Sequence, residues 1–366
     1  MRVLVVNAGS SSVKLTLLDA GDETLAEREL AAPRARADPA ELKAALAAPF
    51  SQADAVGHRI VHGGELFREA VPITAAVRRA LGELSDLAPL HQHKSLAVLD
   101  AVSEALPHTP AVACFDTAFH LTLPPAAATY ALPAAWRSKW GLRRYGFHGL
   151  SHAWVASRVP EVLALNAHGL RIISCHLGAG ASVCAIADGR SLDTTMGFTP
   201  LEGLVMATRS GSVDPGLLLW LLDHGSLTTA QVADGLEHDS GIKGLCGSPD
   251  MREVIERAAG GETSARLALD VYVHRLRGAI AAMAASLGGL DVLSFTGGVG
   301  EHAAHVRALA TAGLSFLGVQ LDQTRNARAS ADTEIGAAEA PVRALVLSSR
   351  EDIQIARAVR ALLRPR

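Results

Sequence analysis

Val3 to Val6 is an unbroken apolar run that ends at Asn7. Such a run, bounded by turn residues, predicts a strand buried on both faces. After the turn Asn7-Ala8-Gly9-Ser10-Ser11-Ser12, apolar Val13, Leu15 and Leu17 alternate with Lys14 and Thr16. That alternation predicts a half-buried second strand, closed by Asp19-Ala20-Gly21. The same order returns mid-chain. Ile172 to His176 reads as a strand, Leu177-Gly178-Ala179-Gly180-Ala181 as a turn, and Ser182 to Ala187 as a strand again, closed by Asp188-Gly189. Two starts of one supersecondary unit, about 170 residues apart, predict a duplicated α/β domain with a cleft between the copies.

Apolar residues at mixed i+3 and i+4 steps predict helices over Pro72–Leu87, Ser95–Leu106, Ser151–Leu165, Pro215–Leu222, Ala265–Leu287 and Asp352–Leu363. Asp291 to Thr296 reads as a buried strand running into Gly297-Gly298-Val299-Gly300, and Val342 to Leu347 as another strand. The Ala-rich stretch from Leu25 to Phe50 carries no clear period.

Composition narrows the class. A chain of 366 residues is long enough for two domains and a large core. With 34 Lys and Arg against 37 Asp and Glu, it lacks the basic footprint of a nucleic-acid binder. Hydrophobic residues at 49% and charged residues at 19% argue against disorder. No apolar stretch is long enough to predict a membrane span. Cys114, Cys175, Cys184 and Cys246 sit in apolar runs without metal-ligand spacing, so buried free thiols in a cytoplasmic protein are expected.

Three Gly-rich or Ser-rich loops follow strands: Asn7 to Ser12, Gly178 to Ser182, and Gly297 to His302. Each alone is compatible with an ordinary turn. Together, at the carboxyl ends of strands, they suit phosphate, because Gly lets backbone N–H groups close on an anion. Gly178-Ala179-Gly180 lacks the third Gly of a dinucleotide loop and leads into a strand, and no GxxxxGK[ST] occurs. A phosphate-binding hairpin remains, with Lys14 either a phosphate contact or a solvated strand lysine. Polar residues also punctuate apolar contexts: His58-Arg59-Ile60-Val61-His62-Gly63-Gly64-Glu65, Phe115-Asp116-Thr117-Ala118-Phe119-His120, Arg144-Tyr145-Gly146-Phe147-His148-Gly149 and Thr208-Arg209-Ser210-Gly211. Cations, carboxylates and Gly loops at strand ends are the inventory of phosphoryl transfer.

These segments, with Met196-Gly197-Phe198-Thr199-Pro200-Leu201-Glu202-Gly203, resemble the signatures of the acetate kinases, members of the sugar kinase/Hsp70/actin superfamily, nearly end to end. The resemblance implies duplicated ribonuclease H-like (actin-like ATPase) α/β domains with a nucleotide cleft between them. It implies one domain from 1–148 plus about 350–366, and a second over 149–349 with the nucleotide site and the dimer interface. It implies reversible phosphorylation of acetate by ATP, with propionate or butyrate as alternative acceptors. A nucleotide-binding paralogue without activity is the reading from a different class.

By the same resemblance, Asp116, Arg59, Arg209 and His148 are the expected catalytic residues. Asn7 and Glu351 are expected to hold Mg²⁺, for which Mn²⁺ could substitute. ATP or ADP is expected along Ser10, Ser12, Lys14, His176, Leu177, Gly178, Ala179 and Gly180. Asp250, Met251 and Arg252 are expected at the ribose, and Gly298, Val299, Gly300, Glu301 and His302 at the adenosine. Arg59, Val61, Leu90, His91, Phe147 and Pro200 are expected around the carboxylic acid. The other implied partner is a second copy of the chain, in a homodimer. A carboxylic acid is already ionised at neutral pH, so the attacking oxygen needs no base, and Asp116 is better read as an organiser of metal or water. Departures from the family pattern include Ala179 for an Asn, His91-Gln92-His93 for His-Asn-Pro, Ser212 for an Asp, His302 for an Asn, and Ser348-Ser349-Arg350 for Pro-Thr-Asn.

Overall fold

The computed structural model describes residues 1–9, 12–31, 39–85, 89–330 and 332–364, without the side chains of 39 and 89–91. Ser10, expected at the phosphates, lies outside the described residues, as do the side chains of Leu90 and His91. The chain divides into two compact units. The first comprises Met1–Leu121, Phe147–Trp154 and Arg350–Arg366, and the second Thr122–Gly146 and Val155–Ser349. The expected division at 148/149 passes through the 147–154 segment of the first unit.

The first unit holds one six-stranded sheet made of β1 (Val3–Ala8), β2 (Ser12–Leu18), β3 (Thr24–Ala31), β4 (Ala55–Ile60), β5 (Val71–Pro72) and β6 (Ala111–Phe115), in the order β3-β2-β1-β4-β6-β5. The second holds β7 (Arg171–Leu177), β8 (Ala181–Ala187), β9 (Arg190–Thr194), β10 (Val292–Thr296), β11 (Thr333–Glu334) and β12 (Arg343–Val346), in the order β11-β12-β10-β7-β8-β9. Each sheet starts as an antiparallel meander, β1-β2-β3 or β7-β8-β9. Each adds two parallel strands beside the first, β4 and β6 or β10 and β12, and ends on a short antiparallel edge strand. The duplication expected from the two strand–turn–strand units is therefore a duplication of whole sheets.

β1 shows why its sequence is apolar throughout. Val3 and Val5 pack with Ile353, Ile355 and Val359 of the helix Glu351–Leu363. Leu4 and Val6 pack on the opposite face, in a cluster with Val98 and Val102 of the helix Pro89–Ala105. In β4, Gly57 makes room for the first of these helices, since a Cβ there would lie 2.4 Å from Ile355.

Several expected boundaries shift. Pro72 closes β5, and the helix expected from it begins at Ala75, where the Thr74 side chain caps the Val77 N–H. β3 falls in the stretch without a period because it is an edge strand with most of its residues exposed. The Gly297–His302 loop is a short helix. Cys114, Cys175, Cys184 and Cys246 are buried free thiols. Among the described residues no helix is long and apolar enough to cross a membrane.

Candidate active site

The strand period places a polar cluster in the first unit. Asn7 lies two residues beyond Val5, on the face that packs against the Glu351–Leu363 helix. Val5 pairs in register with Gly57, and Arg59 with Cys114, so Arg59 and Asp116 continue the same face on the next two parallel strands. Asp116 extends the ladder by donating its N–H to the Ile60 carbonyl. Glu351 opens the helix on that face. Four polar side chains thus meet at the carboxyl ends of β1, β4 and β6.

Arg59 is the hub. Its Nε and NH2 donate to Asp116 Oδ1 and Oδ2 at 3.2 and 2.5 Å, and its NH1 to Asn7 Oδ1 at 3.2 Å. Glu351 Oε2 lies 3.8 Å from Arg59 Nε and accepts from Asn7 Nδ2 at 3.1 Å. The Asp116 side chain is 1% exposed and that of Arg59 13%. Burial pushes the Asp116 carboxyl up, to about 6; Arg59 pulls against that shift, while the negative Glu351 adds to it. Burial alone would lower the Arg59 pKa, but Asp116 and Glu351 together hold it raised. At neutral pH the pair is ionised.

His148 adjoins this cluster through the backbone. The Gly149 N–H donates to the Asp116 carbonyl at 2.9 Å, and a Cβ at Gly149 would lie 2.0 Å from that oxygen. Only glycine permits this approach, which fixes His148, itself at a φ of 55°, beside the end of β6. Val61 and Phe147 are buried in the same unit. The Phe147 ring lies edge-on to His62, with centroids 5.4 Å apart.

Lys94 had no signal in the sequence. It is 4% exposed on the Pro89–Ala105 helix, and its Nζ donates to the carbonyls of Gly9 and Ser12, the latter at 3.3 Å. Burial, and then the Arg59 charge, lower its pKa. Only the long-range fold brings it to the first Gly/Ser turn. Lys14 is the cross-strand neighbour of Asn7, is exposed, and pairs with Glu27 at 3.0 Å.

The remaining expected residues belong to the second unit. Arg209 pairs with Glu237 at 3.0 Å, and its segment is pinned by Met206 N–H to Arg209 carbonyl and Ser240 N–H to Thr208 carbonyl bonds. His176 and Leu177 end β7, followed by Gly178, Ala179 and Gly180. The Ala179 carbonyl accepts from Ala207 N–H at 3.1 Å, and its methyl is exposed. Asp250 caps the helix Met251–Ala259 through the Arg252 N–H and forms an ion pair with the Arg252 side chain, while Met251 is buried. Gly298, Val299, Gly300, Glu301 and His302 lie on the short helix after β10. Pro200 is buried. Tyr130 OH and Arg144 hold the two oxygens of Glu202, at 2.5 and 2.7 Å, and so fix the Met196–Gly203 segment.

Among the described residues no group of three or more His, Cys, Asp or Glu is arranged to hold a metal. Asn7, Asp116 and Glu351 instead offer two carboxylates and an amide oxygen. Hard oxygen donors of this kind, few in number, fit Mg²⁺, which keeps several waters and substrate phosphates in its shell.

Comparison with known proteins agrees with this chemistry. The Acetokinase family model matches residues 36–357. The chain is 49% identical to an acetate kinase of Nostoc punctiforme, over 84% of this chain and 76% of that one. It is 45% identical to an acetate kinase of Leifsonia xyli, over 97% of each. Among solved structures, the acetate kinase of Porphyromonas gingivalis superposes with a TM-score of 0.89 at 36% identity, covering 99% of this chain and 100% of that one. A propionate kinase from Francisella tularensis superposes with a TM-score of 0.90 at 33% identity, covering 98% of each.

Proposed function

The chain belongs to the acetokinase family, and on that footing we propose that the Asn7–Arg59–Asp116–Glu351 cluster carries its phosphoryl transfer between ATP and acetate. The observation that carries the assignment is the Arg59 side chain, which bridges two carboxylates and an amide where three parallel strands end.

The barrier to this reaction is repulsion between an anionic nucleophile and an anionic phosphate. Arg59 supplies fixed positive charge to the acetate carboxylate and the phosphoryl group, and Arg209 supplies a second cation. His148 donates to phosphoryl oxygens. Asp116 holds the Arg59 guanidinium in one orientation and organises water. Because the transition state is loose, positioning and electrostatics are most of what the protein must provide. Asn7 and Glu351 would hold Mg²⁺, directly or through water, and the ion would supply positive charge to the phosphates.

ATP lies along Ser10, Ser12, Lys14 and His176–Gly180, with Asp250, Met251 and Arg252 at the ribose and Gly298–His302 at the adenosine. Val61, Leu90, His91, Phe147 and Pro200 surround the acid. The active form is a cytoplasmic homodimer. Its interface is supported by the helix Pro215–His224, which exposes Leu217 at 46%, Leu219 at 64% and Trp220 at 54%. Such a patch on one helix marks an association surface. Leu219→Glu should shift the sedimentation coefficient from dimer to monomer, and an unchanged value would remove this interface.

The deciding experiment traps acyl phosphate with hydroxylamine from purified protein, ATP, Mg²⁺ and a panel of acids from formate to valerate. Hydroxamate from acetate that disappears with excess chelator is the expected result. Full activity in chelator would remove the metal assignment. ATP binding without hydroxamate from any acid would favour the inactive paralogue.

A further inference from the structure

Glu301 lies in the segment assigned above to the adenosine, yet its carboxylate is engaged within the protein. Oε1 accepts the Gly297 N–H at 3.1 Å and the Ser349 N–H at 3.0 Å. The first donor opens the six-residue helix Gly297–His302, whose N-cap, Thr296, makes no side-chain capping bond. The second is the last residue of the second unit, two positions before Glu351 in sequence. One oxygen therefore ties the start of the short helix to the chain that leaves β12.

Two further features hold the same element. Gly297 has a φ of 77°, and a Cβ there would lie 2.8 Å from the Leu177 carbonyl oxygen, so the turn out of β10 is packed against the end of β7. Arg307, 1% exposed, donates through NH1 to the carbonyls of Gly300 and Glu301 at 2.8 and 2.9 Å. Its Nε and NH2 are taken by Asn326 at 2.8 and 2.7 Å. The helix is thus held at its amino end by Glu301 and at its carboxyl end by Arg307. An isolated helix of this length does not persist in water, so such ties are what order it.

We propose that Glu301 is a positioning residue for the nucleotide: as a hydrogen-bond acceptor, it latches the Gly297 and Ser349 amides and keeps Gly297–His302 formed before ATP arrives. The proposal rests on the reading of that segment as the adenosine flank. Its chemistry is specific, because both amides meet a single oxygen. A Gln side chain offers the same acceptor without charge, whereas direct action on phosphate or Mg²⁺ would need the charge.

Three forms of the full chain decide it: wild type, Glu301→Gln, and Glu301→Met, which keeps the bulk and removes the acceptor. Amide hydrogen exchange without nucleotide, followed in peptides over Gly297 and Ser349, should be about tenfold or more faster in Glu301→Met and unchanged in Glu301→Gln. KM for ATP should rise in Glu301→Met, by about tenfold where the helix is formed only about a tenth of the time, while KM for acetate stays within about twofold. Glu301→Gln should raise KM for ATP clearly less than Glu301→Met does. Unchanged exchange in Glu301→Met, or a loss in Glu301→Gln as large as in Glu301→Met, would overturn the latch. Should Glu301→Met fail to fold, the Glu301→Gln comparison still decides between acceptor and charge. The adenosine assignment is tested separately, in wild type: a non-hydrolysable ATP analogue should slow exchange over Gly297–His302. If it does not, that assignment falls while the apo exchange data still judge the latch.

Discussion

Arg59 grips both oxygens of Asp116 with two different nitrogens, Nε and NH2, in a geometry that lysine cannot reproduce. The pair is nearly buried, and Arg59 is at once the proposed anion-binding group and the counter-charge of an otherwise uncompensated carboxylate. Catalysis and stability are therefore coupled at this position. Arg59→Ala should lower kcat/KM by roughly 10²-fold or more, the usual cost of one transition-state donor. It should also destabilise the fold by about 3–5 kcal/mol, because Asp116 is left buried and unpaired. Arg59→Ala combined with Asp116→Ala should recover much of that stability and none of the activity. Urea midpoints and kinetics on the three variants check this. A full-strength melting transition in Arg59→Ala alone would show that Asp116 is solvated in solution.

Two buried histidines set the response to acid. Burial pushes both His58 and His62 down to about 4, from an ordinary value near 6.5. Between these values the unfolded chain binds two protons that the native state refuses, so stability falls as pH drops from 6.5 toward 4. Asp116 has the opposite sign. Its native pKa, about 6, lies above the ordinary value near 3.8, so the native state takes up one proton over that window and is relatively favoured as pH falls. For these three groups the net is one proton against folding between about pH 6 and 4, a loss of about 1.4 kcal/mol per pH unit. His58→Asn should flatten the dependence of urea midpoint on pH between 6.5 and 4.5. An unaltered slope would mean that His58 already carries its proton in the native state.

Lys94 offers a third test. Its ammonium joins Gly9 to Ser12 by donating to both of their carbonyls. Lys94→Met keeps the length and removes the donor. Removing the donor leaves the Gly9 and Ser12 carbonyls without it, so stability should fall by about 1–3 kcal/mol. On the folded fraction, kcat/KM for ATP should fall about tenfold or more as a cation beside the proposed phosphate segment is lost. Unchanged ATP kinetics would make Lys94 purely structural.

What the sequence shows and what it hides follow from one distinction. Asn7, Arg59 and Asp116 are legible because each ends an apolar strand, where a polar residue stands out and the period of two fixes its face. The duplicated sheets are legible because both begin with a buried strand, a glycine turn and a second strand. β3 is not, since an edge strand carrying Glu27, Arg28 and Glu29 has no apolar face to announce it. Lys94, and the internal partners of Glu301, are hidden for another reason. The partners lie 85 and 48 residues away, and a lysine or glutamate on a helix reads locally as a solvated surface charge.

The exposed Ala179 methyl stands where the family pattern has an Asn. The backbone around it is held by the Ala207 N–H on its carbonyl and by the Gly178 N–H on the Gly180 carbonyl at 2.9 Å. A longer side chain can therefore be added without remodelling the turn. Ala179→Asn should tighten ATP binding by about one hydrogen bond, ~1 kcal/mol or several-fold in Kd by calorimetry. An unchanged Kd would mean that another group already satisfies the phosphate there.

Acyl length tests the proposed apolar end of the acid site. Val61 directly follows β4 and is 4% exposed, and Phe147 is 1% exposed, so neither wall has slack. A further methylene on the acid gains only ~0.8 kcal/mol when it finds room. Forcing it into a filled pocket costs about 1–3 kcal/mol. Acetate should therefore exceed propionate modestly and butyrate strongly in kcat/KM. Val61→Ala removes two methyl groups, at a cost in stability of about 2 kcal/mol. It should move the propionate-to-acetate ratio upward by about tenfold at most, since single methylenes discriminate within ~10–200-fold. With Arg59 proposed to hold the carboxylate end of the acid in wild type and variant alike, KM for ATP should not follow the change. The measurement is kcat/KM for the three acids in both proteins. A wild type that prefers butyrate, or a ratio indifferent to Val61→Ala, would move the acyl pocket away from the end of β4.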